Sequence, residues 1–247
     1  MRIDLNCDLG EGCGNDAELM RVITSANIAC GYHAGDAETM RQTVELAVRH
    51  GVAIGAHPGF PDRKHFGRTE MHLHPDEIRA IVKDQIEALD AVAREFGTRL
   101  DHVKPHGALY NMSAREARVA SAIAEAVREF DRELTLFGLS GSVSIREAER
   151  VGLRTASEVF ADRTYQDDGS LTPRSRHGAL IYDAFEAVNQ VLQMLSEGTV
   201  TAMNGKTSAI KAKTVCIHGD GAKAVEFAAA IRDALEKTGV EVLAINA

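Results

Sequence analysis

Residues 25–57 read SANIACGYHAGDAETMRQTVELAVRHGVAIGAH, two short apolar runs on either side of one amphipathic segment. Ser25–Ala29 and Val52–Ala56 are short and apolar, as expected of strands buried on both faces. Between them, Met40, Thr43, Val44, Ala47 and Val48 recur at three- and four-residue intervals. That spacing puts them on one face of a helix from about Asp36 to His50, which Gly51 ends. Strand, helix and strand in succession predict a parallel sheet with its helices packed against it.

The same alternation continues in both directions. Arg2–Asn6, Leu100–Lys104, Leu134–Gly138, Arg154–Glu158 and Thr214–Ile217 read as further strands. A helix follows Pro75, with Ile78, Ile81, Val82, Ile86 and Leu89 on its apolar face, and stops before Gly97. Asp183–Glu197 and Ala222–Lys237 read as two more. Ser113 with Glu116, and Ser144 with Glu147, have capping-box spacing. Residues 198–213 differ, and read as a small hairpin inserted before the last strong strand. No Pro-rich or Ser-rich linker divides the chain, so residues 1–247 are expected to form a single domain. Seven strands followed by helices predict a TIM-like α/β barrel of seven or eight units. An open, doubly wound sheet is the alternative, because periodicity does not separate a closed sheet from an open one.

The chain has 247 residues, 45 % of them hydrophobic, enough for one sizeable core. Its formal charge of −8, without a long basic run, argues against nucleic acid or an anionic membrane as the main partner. The N-terminus lacks an apolar signal region and no stretch is long enough to span a bilayer, so a cytoplasmic location is expected. Cys7, Cys13, Cys30 and Cys216 form no CxxC pair and read as small buried thiols. Aromatic residues make up only 5 % and Trp is absent, which disfavours a sugar-stacking cleft. Three motif look-alikes fail. Gly10–Gly14 lacks GxGxxG spacing, Val200 stands where a phosphate loop needs its first glycine, and residues 138–142 are not GxSxG.

Polar and ionisable residues gather where strands end. They are Asn6, Asp8 and Glu11; Asn27 and His33; His57; Lys104 and His106; Glu158, Asp162 and Arg163; and His218 and Asp220. In an α/β barrel these positions share one face, where loops build the active site. Lys104 stands out, because a lysine after a buried apolar strand is costly unless it meets an anion or substrate. His106, two residues on, points to the same face. His102, His65, His72 and His74 read as surface or supporting groups.

Six segments, in order, carry a resemblance: DLNCDLGEG (4–12), TSANIACGYHAGD (24–36), GVAIGAHPGFPD (51–62), HVKPHGALYN (102–111), EVFADRTYQDDGSL (158–171) and CIHGDG (216–221). Together they resemble the LamB/YcsF family, whose members serve as the A subunit of bacterial 5-oxoprolinase. Cys13, Tyr32 and Gly59-Phe60 depart from the common pattern without removing an ionisable group. The resemblance implies an irregular, seven-stranded TIM-like barrel of the glycoside hydrolase/deacetylase type. It also implies ATP-dependent opening of 5-oxo-L-proline to L-glutamate, with subunits B and C as partners and Mg²⁺ accompanying the ATP.

Opening a five-membered lactam needs a general base, a cation for developing negative charge and an acid for the leaving nitrogen. Asp8, His57 and His106 are the acid/base candidates and Lys104 the electrostatic one. Arg163 or Arg68 suits the substrate carboxylate. Glu11, Asn27, His33, Glu158, Asp162, His218 and Asp220 complete the substrate- or phosphate-binding set, with 219–221 at a helix N-terminus. No residues are assigned to a metal, because the histidines lack close ligand spacing, and no tightly bound ion is expected. Two alternatives remain. One is a metal-dependent deacetylase using Asp8, His57 and His65; the other is a non-catalytic protein that only supports its partners. Lys104→Met is expected to lose rate while stability holds or rises.

Overall fold

The computed structural model describes residues 1–218 and 223–247. Ten strands occur among them: β1 (Arg2–Leu9), β2 (Ser25–Ala29), β3 (Ala53–His57), β4 (His102–Val103), β5 (Thr135–Leu139), β6 (Arg154–Phe160), β7 (Thr199–Thr201), β8 (Thr207–Ala209), β9 (Thr214–His218) and β10 (Glu241–Val242). The helices are α1 (Asp16–Leu19), α2 (Ala37–His50), α3 (Pro75–Glu95), α4 (Gly107–Arg115), α5 (Ala117–Phe130), α6 (Val143–Arg150), α7 (Ala184–Ser196) and α8 (Ala224–Lys237). Strands β1 to β6 and β9 pair in parallel, and β1 also pairs with β9, which closes a seven-stranded barrel. The open-sheet alternative is therefore set aside. Strand β10 adds to β1 beside the barrel, and β7 and β8 form a separate antiparallel hairpin over residues 199–209.

Helix α2 matches its reading except at Val48, which is exposed at the edge of the apolar face. Its Met40, Thr43, Val44 and Ala47 are buried, Asp36 accepts a hydrogen bond from the Thr39 N–H, and Gly51 ends it at φ 66°. Burying each larger aliphatic side chain of this kind is worth about 1.5–3 kcal/mol. The capping boxes are corrected. Ser113 lies inside α4, where its hydroxyl donates to the Tyr110 carbonyl, and Glu116 caps α5 without a side-chain bond. Helix α6 is capped at Ser142, so Ser144 falls within it. The capping box that does form joins His74 and Glu77 at the start of α3. The fourth strand is also shorter than predicted, spanning His102–Val103, although the Asp101 and Lys104 N–H groups still donate to the Ile54 and Ala56 carbonyls on either side of it. Cys13 is exposed, unlike the other three cysteines. No helix among the described residues is long and apolar enough to cross a membrane.

Strand β1 explains how the barrel positions its chemistry. Asp4, Asn6 and Asp8 alternate with Ile3, Leu5, Cys7 and Leu9, and all are buried. The first set makes polar contacts across the barrel. Asp4 accepts from Ser25 and Thr214, and Asn6 donates to Glu158 (3.0 Å) and Thr214 (2.7 Å). Asn27 donates to Asn6 (2.7 Å) and Asp8 (2.8 Å). The interior is a hydrogen-bonded column in place of the aliphatic layers usual in such barrels.

Candidate active site

The register levels the strand ends. Asp8 pairs with Asn27 on one side and His218 on the other, and Ala29 pairs with His57. Lys104 and His106 follow β4 directly. Lys104 Nζ lies 2.7 Å from Asp8 Oδ1, 3.0 Å from Glu158 Oε1, 3.0 Å from Cys216 Sγ and 3.3 Å from Asn6 Oδ1. His57 Nδ1 donates to the Lys104 carbonyl at 2.7 Å, and its Nε2 stands 3.4 Å from Asp8 Oδ2. His106 Nε2 donates to the Phe66 carbonyl at 2.8 Å, leaving Nδ1 2.9 Å from His57 Nε2. His33 stacks flat on His106, with ring centroids 3.8 Å apart, and its Nε2 is 3.2 Å from Glu11.

Burial and charge set the protonation of these groups. Burial opposes the Lys104 ammonium, but Asp8, Cys216 and Glu158 outweigh it and hold the group charged well above the usual lysine range. For Asp8, burial is outweighed by His57 and Lys104, so its carboxyl is held well below the ordinary value. Burial and neighbouring His57 push His33 down to about 3, and burial with His57 and His33 keeps His106 well below a free imidazole. Asp162 accepts from the His218 backbone N–H (3.2 Å) and ring Nδ1 (2.9 Å), and His218 holds its carboxyl low against burial.

A narrow pocket of about 50 Å³ opens above Asp8, Glu11, His57, Lys104 and His106. That is room for a few waters or the reacting end of a small ligand. Arg68, Arg163 and Arg174 line both this pocket and an adjoining cleft of about 650 Å³. An acidic, imidazole-rich floor under three guanidinium groups suits a small anion whose reacting end enters the pocket. Arg163 is largely buried and donates to the Thr172 (2.6 Å) and Ala179 (3.3 Å) carbonyls, so it also ties down its own loop. Asn27, His33, Glu158 and Asp162 stand behind the lining residues and hold them. Asp220 and its neighbours at 219–221 lie outside the described residues.

Several placements depart from the sequence reading. His65 is on the surface, paired with Asp62 at 2.8 Å, so Asp8, His57 and His65 do not come together. His102 is buried, donates to Asn27 Oδ1 at 2.8 Å and stacks on Phe137. A signal for it is present in the sequence: His102, Lys104 and His106 alternate along one extended segment and share a face. Cys216, an apolar filler by its sequence, touches Lys104, and Tyr110, Phe160 and Arg174 join the pocket wall unforeseen. Glu11, His33, His57 and His106 place one donor atom each within 4.8 Å of the others. Separation along the sequence is therefore no reason against a metal there, and nitrogen and carboxylate donors at this spacing fit a divalent ion.

The LamB/YcsF family model matches residues 3–247. The chain is 53 % identical over 247 residues to the A subunit of 5-oxoprolinase from Staphylococcus haemolyticus, covering 98 % of this chain and 99 % of that one. It is 55 % identical over 248 residues to the A subunit of 5-oxoprolinase from Geobacillus thermodenitrificans, covering 99 % and 97 %. The crystal structure of a lactam utilization protein from Thermus thermophilus superposes with a TM-score of 0.92 at 48 % identity, over 99 % of this chain and all of that one. With the family model spanning nearly the whole chain and the closed barrel in place, this protein belongs to the LamB/YcsF family.

Proposed function

We propose that this chain is the A subunit of an ATP-dependent 5-oxoprolinase, opening 5-oxo-L-proline to L-glutamate together with subunits B and C. Its likeness, along almost the full length, to proteins named for that role in 5-oxoprolinase carries the reading. The pocket supplies the groups such a reaction needs. A γ-lactam carbonyl is a weak electrophile, and transfer of phosphate from ATP to its oxygen makes attack by water feasible. Asp8, His57 and His106 are the proton-handling groups for that water and for the departing ring nitrogen. Lys104 keeps Asp8 ionised and positioned. Arg68, Arg163 or Arg174 takes the substrate carboxylate or a phosphate. The chain has no intact phosphate loop, so ATP turnover belongs to the assembled enzyme, with Mg²⁺ as the nucleotide's counter-ion. Four free cysteines suit a reducing cytoplasm.

The purified chain, alone and with subunits B and C, is assayed on 5-oxo-L-proline and ATP for glutamate and ADP. Both products are expected from the complete mixture, and neither from any one of the three proteins by itself. A complete mixture that forms no glutamate overturns the reading, and lactam-dependent ADP release by this chain alone overturns the division of labour. A second reading, a metal-dependent amidohydrolase, draws on the convergence of Glu11, His57 and His106. It predicts amide hydrolysis by the isolated chain without ATP.

A further inference from the structure

We propose that Glu11, His57 and His106 bind one divalent first-row transition-metal ion, of the Zn²⁺ class, at the carboxyl mouth of the barrel. A carbonyl oxygen only accepts, so the contacts to the Lys104 and Phe66 carbonyls place ring protons on His57 Nδ1 and His106 Nε2. In the neutral tautomers this leaves His57 Nε2 and His106 Nδ1 as two lone pairs facing each other at 2.9 Å, with Asp8 Oδ2 3.4 Å from His57 Nε2. The Glu11 carboxylate, a third acceptor, stands 3.3 Å from His106 Nδ1 and 3.9 Å from His57 Nε2. A single shared proton would pair the two imidazoles and leave Glu11 to His33, so it is the common spacing of all three donors that points to an ion. An ion with bonds of about 2.0–2.2 Å in tetrahedral geometry separates its donors by about 3.4 Å, inside the range these contacts span.

The surroundings have the form of a metal site. Backbone carbonyls fix both histidine rings in the tautomer that aims a lone pair inward, which is how ligating imidazoles are oriented. His33 lies flat against His106 and its Nε2 meets Glu11, while its Nδ1 is buried without a partner. A proton on Nε2 satisfies the Glu11 contact, so His33 orients the carboxylate and is not a ligand. Asp8, Cys216 and His218 also lie close together, but the Lys104 ammonium already sits against Asp8 and Cys216. Three protein ligands leave a coordination position open, where an ion would act as a Lewis acid on bound water or a carbonyl; with it bound, His57 and His106 serve as ligands and Asp8 remains to handle protons.

The inference stands apart from the lactam reading, because it is tested without lactam, ATP or partners. Untagged, chelator-stripped chain is titrated with Zn²⁺ and with Co²⁺ by calorimetry, with thermal melts and the Co²⁺ visible spectrum alongside. One ion per chain is expected, raising Tm and giving the absorption of a low-coordinate nitrogen–oxygen site. Glu11→Gln, nearly isosteric and in a loop, and His106→Ala are each expected to weaken binding by about 100-fold or more. His65→Ala is expected to bind as the parent does, and circular dichroism confirms folding of each variant. No stoichiometric ion in the parent chain, unchanged affinity in folded Glu11→Gln, or loss on Cys216→Ser in its place overturns the proposal.

Discussion

Lys104 carries its charge almost wholly buried at the floor of the pocket, between carboxylates from the first and sixth strands of the barrel. A lysine after an apolar strand and before proline is legible as unusual from the sequence. Its partners are not, because Asp8 and Glu158 lie 96 residues before it and 54 after it. They alter one expectation. On sequence alone, Lys104→Met holds or gains stability through relief of a buried charge. In the folded chain it leaves two buried carboxylates uncompensated, which costs about 3–5 kcal/mol. Turnover in the complete enzyme should fall by about 10²–10³, as on removing one electrostatic group. Adding Glu158→Gln should recover part of the stability and none of the rate, because it removes one surplus charge without restoring the cation. Urea unfolding and steady-state turnover on the single and double variants check this. A Lys104→Met chain as stable as the parent would sink the account.

At the scale of elements, the paired strands β3 and β4 show what periodicity reveals and what it hides. The apolar run before His57 reads as a strand from composition alone, and so it is. The His102 ring, however, lies directly over Gly55. A Cβ built there would collide with its Nε2, the atom bonded to Asn27. Gly55→Ala should therefore expel the imidazole and leave Asn27 short of a donor, costing about 2–4 kcal/mol. Its effect and that of His102→Ala should be far from additive in urea midpoints, since both break one arrangement. Additive losses would mean that the glycine serves some other purpose. The helix caps differ from their reading for a related reason. Ser-x-x-Glu spacing recurs inside helices, and only the backbone decides which serine precedes a first turn. Strand β10, two residues long, offers no pattern, because its pairing with β1 is a tertiary fact.

Over the whole molecule, the polar column in the barrel makes stability depend on pH. Burial raises the Asp4 carboxyl to about 6 from 3.8, against hydrogen bonds from Ser25, Thr214 and Thr24, and Glu158 adds to the rise. A raised carboxylate means that the native state binds a proton which the unfolded chain releases earlier. Its contribution is therefore fully present below about pH 4 and lost as pH climbs through about 6, on the order of 3 kcal/mol in all. Asp4→Asn abolishes this dependence, so the difference in unfolding free energy between parent and variant should change between about pH 4 and about pH 6 and level off above. A difference flat across that window would show that Asp4 is ionised throughout. The shared strand-end face can be foreseen from seven alternating units, whereas closure is implied only by the family resemblance and set by the pairing of β1 with β9. The filling of the interior cannot be foreseen, because Asp4 and Asn6 read as ordinary polar residues until their partners surround them.

The hydrogen bond from Thr214 to Asp4 spans 210 positions of the chain. A ribosome adding about 5–20 residues per second makes those two ends of the contact about 10–40 s apart. During that interval the first strand has left the tunnel, yet it lacks the neighbour that completes its second edge. Asp4, Asn6 and Asp8 keep it hydrated while it waits, where an aliphatic strand of the same length would invite association with other nascent chains. The polar residues that later face the barrel axis thus also serve the protein before it has a barrel.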